Sequence, residues 1–311
     1  MDSHTSVGQS MNSAARIRAR AARLIVALLA LTAIVLVTAA GASAATRATK
    51  PAAELPAYEN VRYGPSPFEV ANVYPAVEAG APIVVMVHGG GWRKQGILGR
   101  LENEARTLQR EGSTVVEINY DQDSLLAPAF PMEPNDVAAA TRWAIANATS
   151  FNADPSTVIL LGGSAGGNLV AIVAEQLDAA SPGTVDAVIS LSGPMDFVSL
   201  WPKLEGDTIA NESFNKSVHW ALGMSIEESP FPTAYAQQWS PALHVPHSGC
   251  PAWLILNSEA ETIPLAQAQE MNSNLRTAGC SATLGVVPGS EHAFAYFHRV
   301  RPAIVDFIKA Q

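Results

Sequence analysis

The chain has 311 residues, long enough for one large α/β domain, and is 48% hydrophobic and 15% charged. That is less charge than the usual quarter, and it argues for a compact globule and against disorder. With 28 acidic residues against 19 basic, the net charge of −9 argues against nucleic acid as a partner, because such a surface repels phosphates.

Arg16, Arg18, Arg20 and Arg23 lead into the apolar run 24-LIVALLALTAIVLVTAAGASA-44, where Ala42 and Ala44 precede a cleavable position. Charge, apolar stretch and Ala-x-Ala form the pattern of a secretory signal over 1–44, with Met11 as a second candidate start. An uncleaved membrane anchor is the alternative, since 21 mostly apolar residues suffice to span a bilayer. Cleavage would remove four arginines and Asp2, leaving 15 basic residues against 27 acidic, a net charge of −12. Segment 45–57 then reads as a tether ahead of a domain over 58–311.

Beyond it, short apolar runs alternate with helical patterns. Strands are expected at 69–74, 83–88, 114–119, 158–162, 185–190, 252–256 and 282–287. The runs 83–87 and 158–161 are continuously apolar, as in central parallel strands covered on both faces. Helices are expected at 98–111, 134–149, 165–180, 265–278 and 296–310, with Pro134 suited to a first turn and Gly279 to a stop. The alternation predicts a mostly parallel three-layer α/β domain.

The connection 197–249 is too long for an ordinary loop. It carries Trp201, Trp220 and Trp239, and reads as a small cap contributing apolar substrate contacts, with surface padding as the alternative. Cys250 and Cys280 each precede an expected strand, which puts both sulfurs at one sheet edge if the strands are parallel neighbours. A disulfide fits an exported chain, and two unpaired small hydrophobes are the other reading. No compact Cys/His spacing implies a metal.

The chemistry gathers in three segments. Strand 158–162 runs into Gly162-Gly163-Ser164-Ala165-Gly166-Gly167 and then a helix. Glycines at the outer positions of G-x-S-x-G allow a tight turn with the serine hydroxyl at its tip. A dinucleotide loop is disfavoured by the spacing, and a Walker loop by the missing Lys. Strand 83–88 ends in His88-Gly89-Gly90-Gly91-Trp92, where glycines expose backbone N–H groups. Gly89, Gly90 and Ala165 are candidate donors to a developing oxyanion, and His88 is assigned to shaping the loop. His292, in 288-PGSEHAF-294 beyond the last strand, is the candidate base.

On these residues, together with 62-RYGPSPFEVANVYPA-76, the chain resembles esterases and lipases of the α/β-hydrolase superfamily, close to the hormone-sensitive-lipase-like carboxylesterases. The resemblance covers 58–310 and implies a three-layer α/β-hydrolase fold with a mostly parallel sheet and a cap insertion. It also implies an acyl-enzyme on Ser164, with His292 as acid and base and no cofactor or metal. Members often carry an acidic residue or histidine where this chain has Gly163. Family patterns after strand 252–256 also place an aspartate where this chain has Ala260. The acid is therefore open between Glu261, Glu259 and Asp196. The expected substrate is a small or lipid-like ester; a serine peptidase and a secreted binding protein with a degraded triad are the rivals.

Overall fold

The computed structural model describes residues 57–93, 98–122, 128–205, 212–224, 232–246 and 249–311. The expected signal segment and, apart from Ala57, the tether lie outside them.

Eight strands form one sheet in the order β1-β2-β4-β3-β5-β6-β7-β8. They are β1 (Tyr58–Arg62), β2 (Val70–Tyr74), β3 (Ala81–Val87), β4 (Thr114–Ile118), β5 (Ala153–Gly163), β6 (Ala187–Leu191), β7 (Ala252–Ser258) and β8 (Ala282–Val287). Pairing of β2 with β1 and with β4 is antiparallel, and every pairing from β4 to β8 is parallel. Strand β1 was not expected from the sequence.

Alternate residues of the central strands enter opposite cores. Ile83, Val85 and Val87 of β3 join Val158 and Leu160 of β5 on one face, while Val84 and Met86 join Ile159 and Leu161 on the other. A strand buried on both faces has no use for a polar alternation, hence the continuous apolar runs. Helices α1 (Glu102–Arg110) and α8 (Phe297–Lys309) contribute Ala105, Leu108, Ile304 and Ile308 to the second core. Helices α2 (Ala129–Asn147), α3 (Ala165–Ala180) and α7 (Leu265–Thr277) supply Val137, Leu169, Val173 and Met271 to the first. This is the three-layer α/β-hydrolase arrangement.

Between β6 and β7 lies the helical insertion, with α4 (Phe197–Glu205), α5 (Glu212–Ala221) and α6 (Thr233–Gln238) among the described residues. Its tryptophans have separate uses. Trp239 is buried and stacks on Phe130 at 5.0 Å, Trp220 lies beneath the Arg93 guanidinium, and Trp201 packs against His219. Trp239 is thus part of the core rather than a free apolar surface.

Because β3 is flanked by β4 on one side and β5 on the other, the loops leaving β3 and β5 diverge from a switch point at the strands' C-terminal edge, where α/β sheets open a crevice. The opposite edge carries a Cys250–Cys280 disulfide, with Cα atoms 5.8 Å apart, just before the paired strands β7 and β8. Closing a loop of 30 residues stabilises the fold by about 3.5 kcal/mol in the chain-entropy picture. Replacing both cysteines with alanine should lower the melting temperature by roughly 7–14 °C while leaving kcat/KM within about twofold, measured by calorimetry and ester turnover.

Just past β4, Asp121 donates its backbone N–H to the Asp136 carboxylate of α2 at 2.9 Å. Burial, followed by the charges of Asp121 and Glu69, pushes Asp136 up to about 7 from 3.8. The folded state therefore holds this proton more tightly than the unfolded chain. Its stabilising contribution is full below pH 3.8 and is lost as the pH rises through about 7. Asp136→Asn, which keeps the acceptor without the charge, should melt a few degrees above the parent at pH 8, with the gap closing toward pH 4; thermal unfolding at both pH values measures it.

Candidate active site

Ser164 sits between β5 and α3 with φ 57° and ψ −124°. A non-glycine residue rarely adopts a positive φ, and such strain persists only where the surroundings over-determine it. Here they do. The Ser164 N–H is held by the Leu191 carbonyl at 2.8 Å and its carbonyl by the Asn168 N–H at 3.2 Å.

The glycines around it mark close backbone contacts rather than looseness. A side chain at Gly162 would overlap the Gly166 carbonyl, and one at Gly166 would overlap the carbonyls of Val87 and His88. A Cβ at Gly89 would lie 2.6 Å from the Gly163 oxygen and 2.9 Å from Ser164 Cβ. The loop after β3 is therefore pressed against the serine turn. Its next glycines, Gly90 (φ 132°) and Gly91 (φ 63°), have positive φ. Ala165 opens α3, so its N–H belongs to the unsatisfied, electropositive first turn of that helix.

His88 is buried under this loop. Its Nδ1 faces the Gly89 carbonyl at 2.7 Å, its Nε2 faces Asn119 Oδ1 at 3.1 Å, and its ring stacks on Tyr120. Burial pushes its pKa down. Its place is beneath the loop, supporting it.

His292 lies past β8, and its Nδ1 is hydrogen-bonded to Glu261 Oε2. The Glu261 side chain is 0% exposed, whereas that of His292 is 36% exposed. The other carboxylate oxygen, Oε1, accepts from Ser192 Oγ at 2.6 Å and from the Ser258 N–H at 2.8 Å. Ser192, Glu261 and His292 thus form one hydrogen-bonded chain. Ser192 itself is wholly buried.

The other carboxylates considered from sequence are placed elsewhere. Glu259 is exposed and meets the Gly289 N–H at 3.4 Å. Asp196 is buried and accepts from the Val198 N–H at 2.8 Å, capping the start of α4. Neither is bonded to His292. Ala260 contributes only backbone here, its N–H donating to Gly289 at 3.1 Å.

Gly163 joins the two halves of the site. A Cβ there would lie 2.8 Å from the Phe294 ring and 3.1 Å from Ala293 Cβ. The residue before Ser164 therefore packs on the two residues that follow His292. Ser192, the group that sequence reasoning missed, also touches this loop, accepting from the Ala293 N–H at 3.1 Å. Its signal was a polar residue directly after a fully buried strand, in 190-SLSG-193.

Comparison with known proteins agrees with this geometry. The family model BD-FAE matches residues 73–275. Carboxylesterase NlhH of Mycobacterium tuberculosis is 28% identical over 241 residues, covering 75% of this chain and 72% of NlhH. Esterase LipQ of the same organism is 25% identical over 72% of this chain, which spans only 53% of LipQ. Among solved structures, a truncated carbohydrate esterase from gut microbiota superposes with a TM-score of 0.67 at 21% identity, over 84% of this chain and 98% of that one. EstE1, a thermostable carboxylesterase from a metagenomic library, gives 0.60 at 24% identity, over 77% and 82%. The chain belongs to the BD-FAE family, among the esterases and lipases of the α/β-hydrolase superfamily.

Proposed function

We propose that this protein is a carboxylic ester hydrolase that works through an acyl-enzyme on Ser164. The observation that carries the reading is the pairing of His292 with a fully buried carboxylate, in a loop packed against the turn that holds Ser164.

With Nδ1 committed to Glu261, the His292 ring presents Nε2 as the nitrogen available to a hydroxyl. In this mechanism Nε2 takes the Ser164 proton as Oγ attacks the ester carbonyl, and then returns it to the departing alcohol. Water, activated by the same nitrogen, releases the acid. Glu261 holds the ring and stabilises its cation. The N–H groups of Gly89, Gly90 and Ala165 receive the charge on the carbonyl oxygen, each contributing about 3 kcal/mol if it acts as oxyanion donors do elsewhere. The chemistry calls on no metal or cofactor.

NlhH and LipQ are named as esterases, and the chain's likeness to them supports ester substrates over amides. The rival binding-protein reading rested on Ala260, and the bond between Glu261 and His292 supplies a carboxylate despite it. Export with removal of 1–44 is supported by the leader pattern and by the disulfide. Among the described residues no helix is long and apolar enough to cross a membrane.

An organophosphonate probe decides the nucleophile. The adduct should map to the peptide bearing Ser164 and vanish in Ser164→Ala; labelling at Ser192, or none in folded protein, would sink the proposal. Parallel assays with a short acyl ester and an aminoacyl amide should show turnover of the ester, whereas amide turnover alone would favour a peptidase. Glu261→Gln should lower kcat by roughly 10³–10⁴-fold with the fold intact, while Glu259→Gln and Asp196→Asn should fall far short of that loss in steady-state kinetics.

A further inference from the structure

The carboxylate bonded to His292 belongs to a glutamate, which has one more rotatable bond than an aspartate. A buried carboxylate on a longer arm needs donors that fix its orientation and offset its lost hydration. We propose that Ser192, backed by Tyr296, is the positioning residue that makes Glu261 serve as the acid, a role that rests on the ester-hydrolase reading above.

Ser192 follows β6 directly, and its N–H is held by the Leu256 carbonyl of β7 at 2.8 Å. Its hydroxyl is the meeting point of three segments. It donates to Glu261 Oε1 at 2.6 Å, accepts from the Ala293 N–H at 3.1 Å, and lies 2.8 Å from the Tyr296 hydroxyl. Tyr296 is buried in turn and reaches the Leu256 carbonyl at 2.9 Å. One oxygen therefore ties the acid to the residue next to His292. With Oε1 shared between Ser192 and the Ser258 N–H, Oε2 is the oxygen left to His292.

The backbone points the same way. Ser192 has φ 55°, and Ala293, which donates to it, has φ 51°. Glycine fits that region without strain, so a serine kept there retains its hydroxyl at a conformational cost. Full burial prevents that hydroxyl from meeting substrate, so it acts on turnover through the groups it bonds, with Glu261 the one assigned here and the Ala293 N–H the other.

Two substitutions separate hydroxyl from backbone. Ser192→Ala keeps the strained φ without the hydroxyl, and Ser192→Gly also relieves the backbone. Both should lower kcat for a short acyl ester by 10- to 100-fold with KM within twofold, while Ser192→Gly melts at or above Ser192→Ala. In a Glu261→Ala background the further change from Ser192→Ala should be less than twofold, because the group it acts through is gone. The role is overturned if Ser192→Gly retains the parent's kcat, or if the two single losses multiply in the double variant. The parent is assayed in the same series. A parent without ester turnover defeats the ester-hydrolase reading itself, whereas an active parent with fully active Ser192 variants defeats only this role.

Discussion

The site depends on backbone segments that approach one another more closely than any side chain would allow. Parallel pairing of Val87 with Gly162 brings the ends of β3 and β5 together, and glycines at 89, 162 and 166 let the two departing loops touch through main-chain atoms. Only then can a strained Ser164 be held by Leu191 and Asn168 on one side and by the loop of Gly89 on the other. The sheet supplies rigidity and the glycines supply proximity. A side chain at any of these positions would force apart the N–H groups that converge on one oxygen in the proposed mechanism, where a misplacement of about 1 Å is enough to cost catalysis heavily.

The second constraint is electrostatic. Glu261 is removed from water, so its charge must be met by protein groups or its burial would oppose folding. Three arrive from different strands: Ser192 from the end of β6, the Ser258 N–H from the end of β7, and His292 from beyond β8. The turn that carries Glu261 is itself pinned, since the N–H groups of Glu259 and Ala260 donate to Val287 and Gly289 and prolong the β7 and β8 pairing. The chain leaves β7 here in a turn, with Glu259 exposed and the Glu261 carboxylate facing inward. The position of Glu261 thus follows from strand pairing, as that of Ser164 does.

These two constraints differ in how far the sequence reveals them. Close backbone approach leaves glycines at fixed spacing, so the turn at 162–167 and the loop at 88–92 could be read directly. Strands buried on both faces leave uninterrupted apolar runs, and β3 and β5 were legible for that reason. Strand β1 was not, because it is a largely exposed edge strand with a burial pattern unlike either template. The choice among Glu259, Glu261 and Asp196 was also beyond reach of pattern. It turns on which way each carboxylate faces once the chain has left its strand, and on a hydroxyl 69 residues away in sequence from Glu261. Asp196 looked eligible by its place after β6, but the helix that follows needs a cap and takes its carboxylate.

The helical insertion belongs to the same structural logic, since it is anchored on the loop that follows β3. Trp92, the residue after the three glycines, is fully buried and packs against Phe197 of α4 at 5.6 Å and Phe130 of α2 at 6.2 Å, while Phe130 stacks on Trp239. A side chain at Gly91 would strike Ser217 of α5, and Arg93 lies 3.0 Å above the Trp220 ring. Aromatic contacts of this kind add about 0.5–1.5 kcal/mol each beyond burial, and together they fix the insertion to the segment that presents Gly89 and Gly90. Any displacement of α4 or α5 is therefore felt at the loop that follows β3.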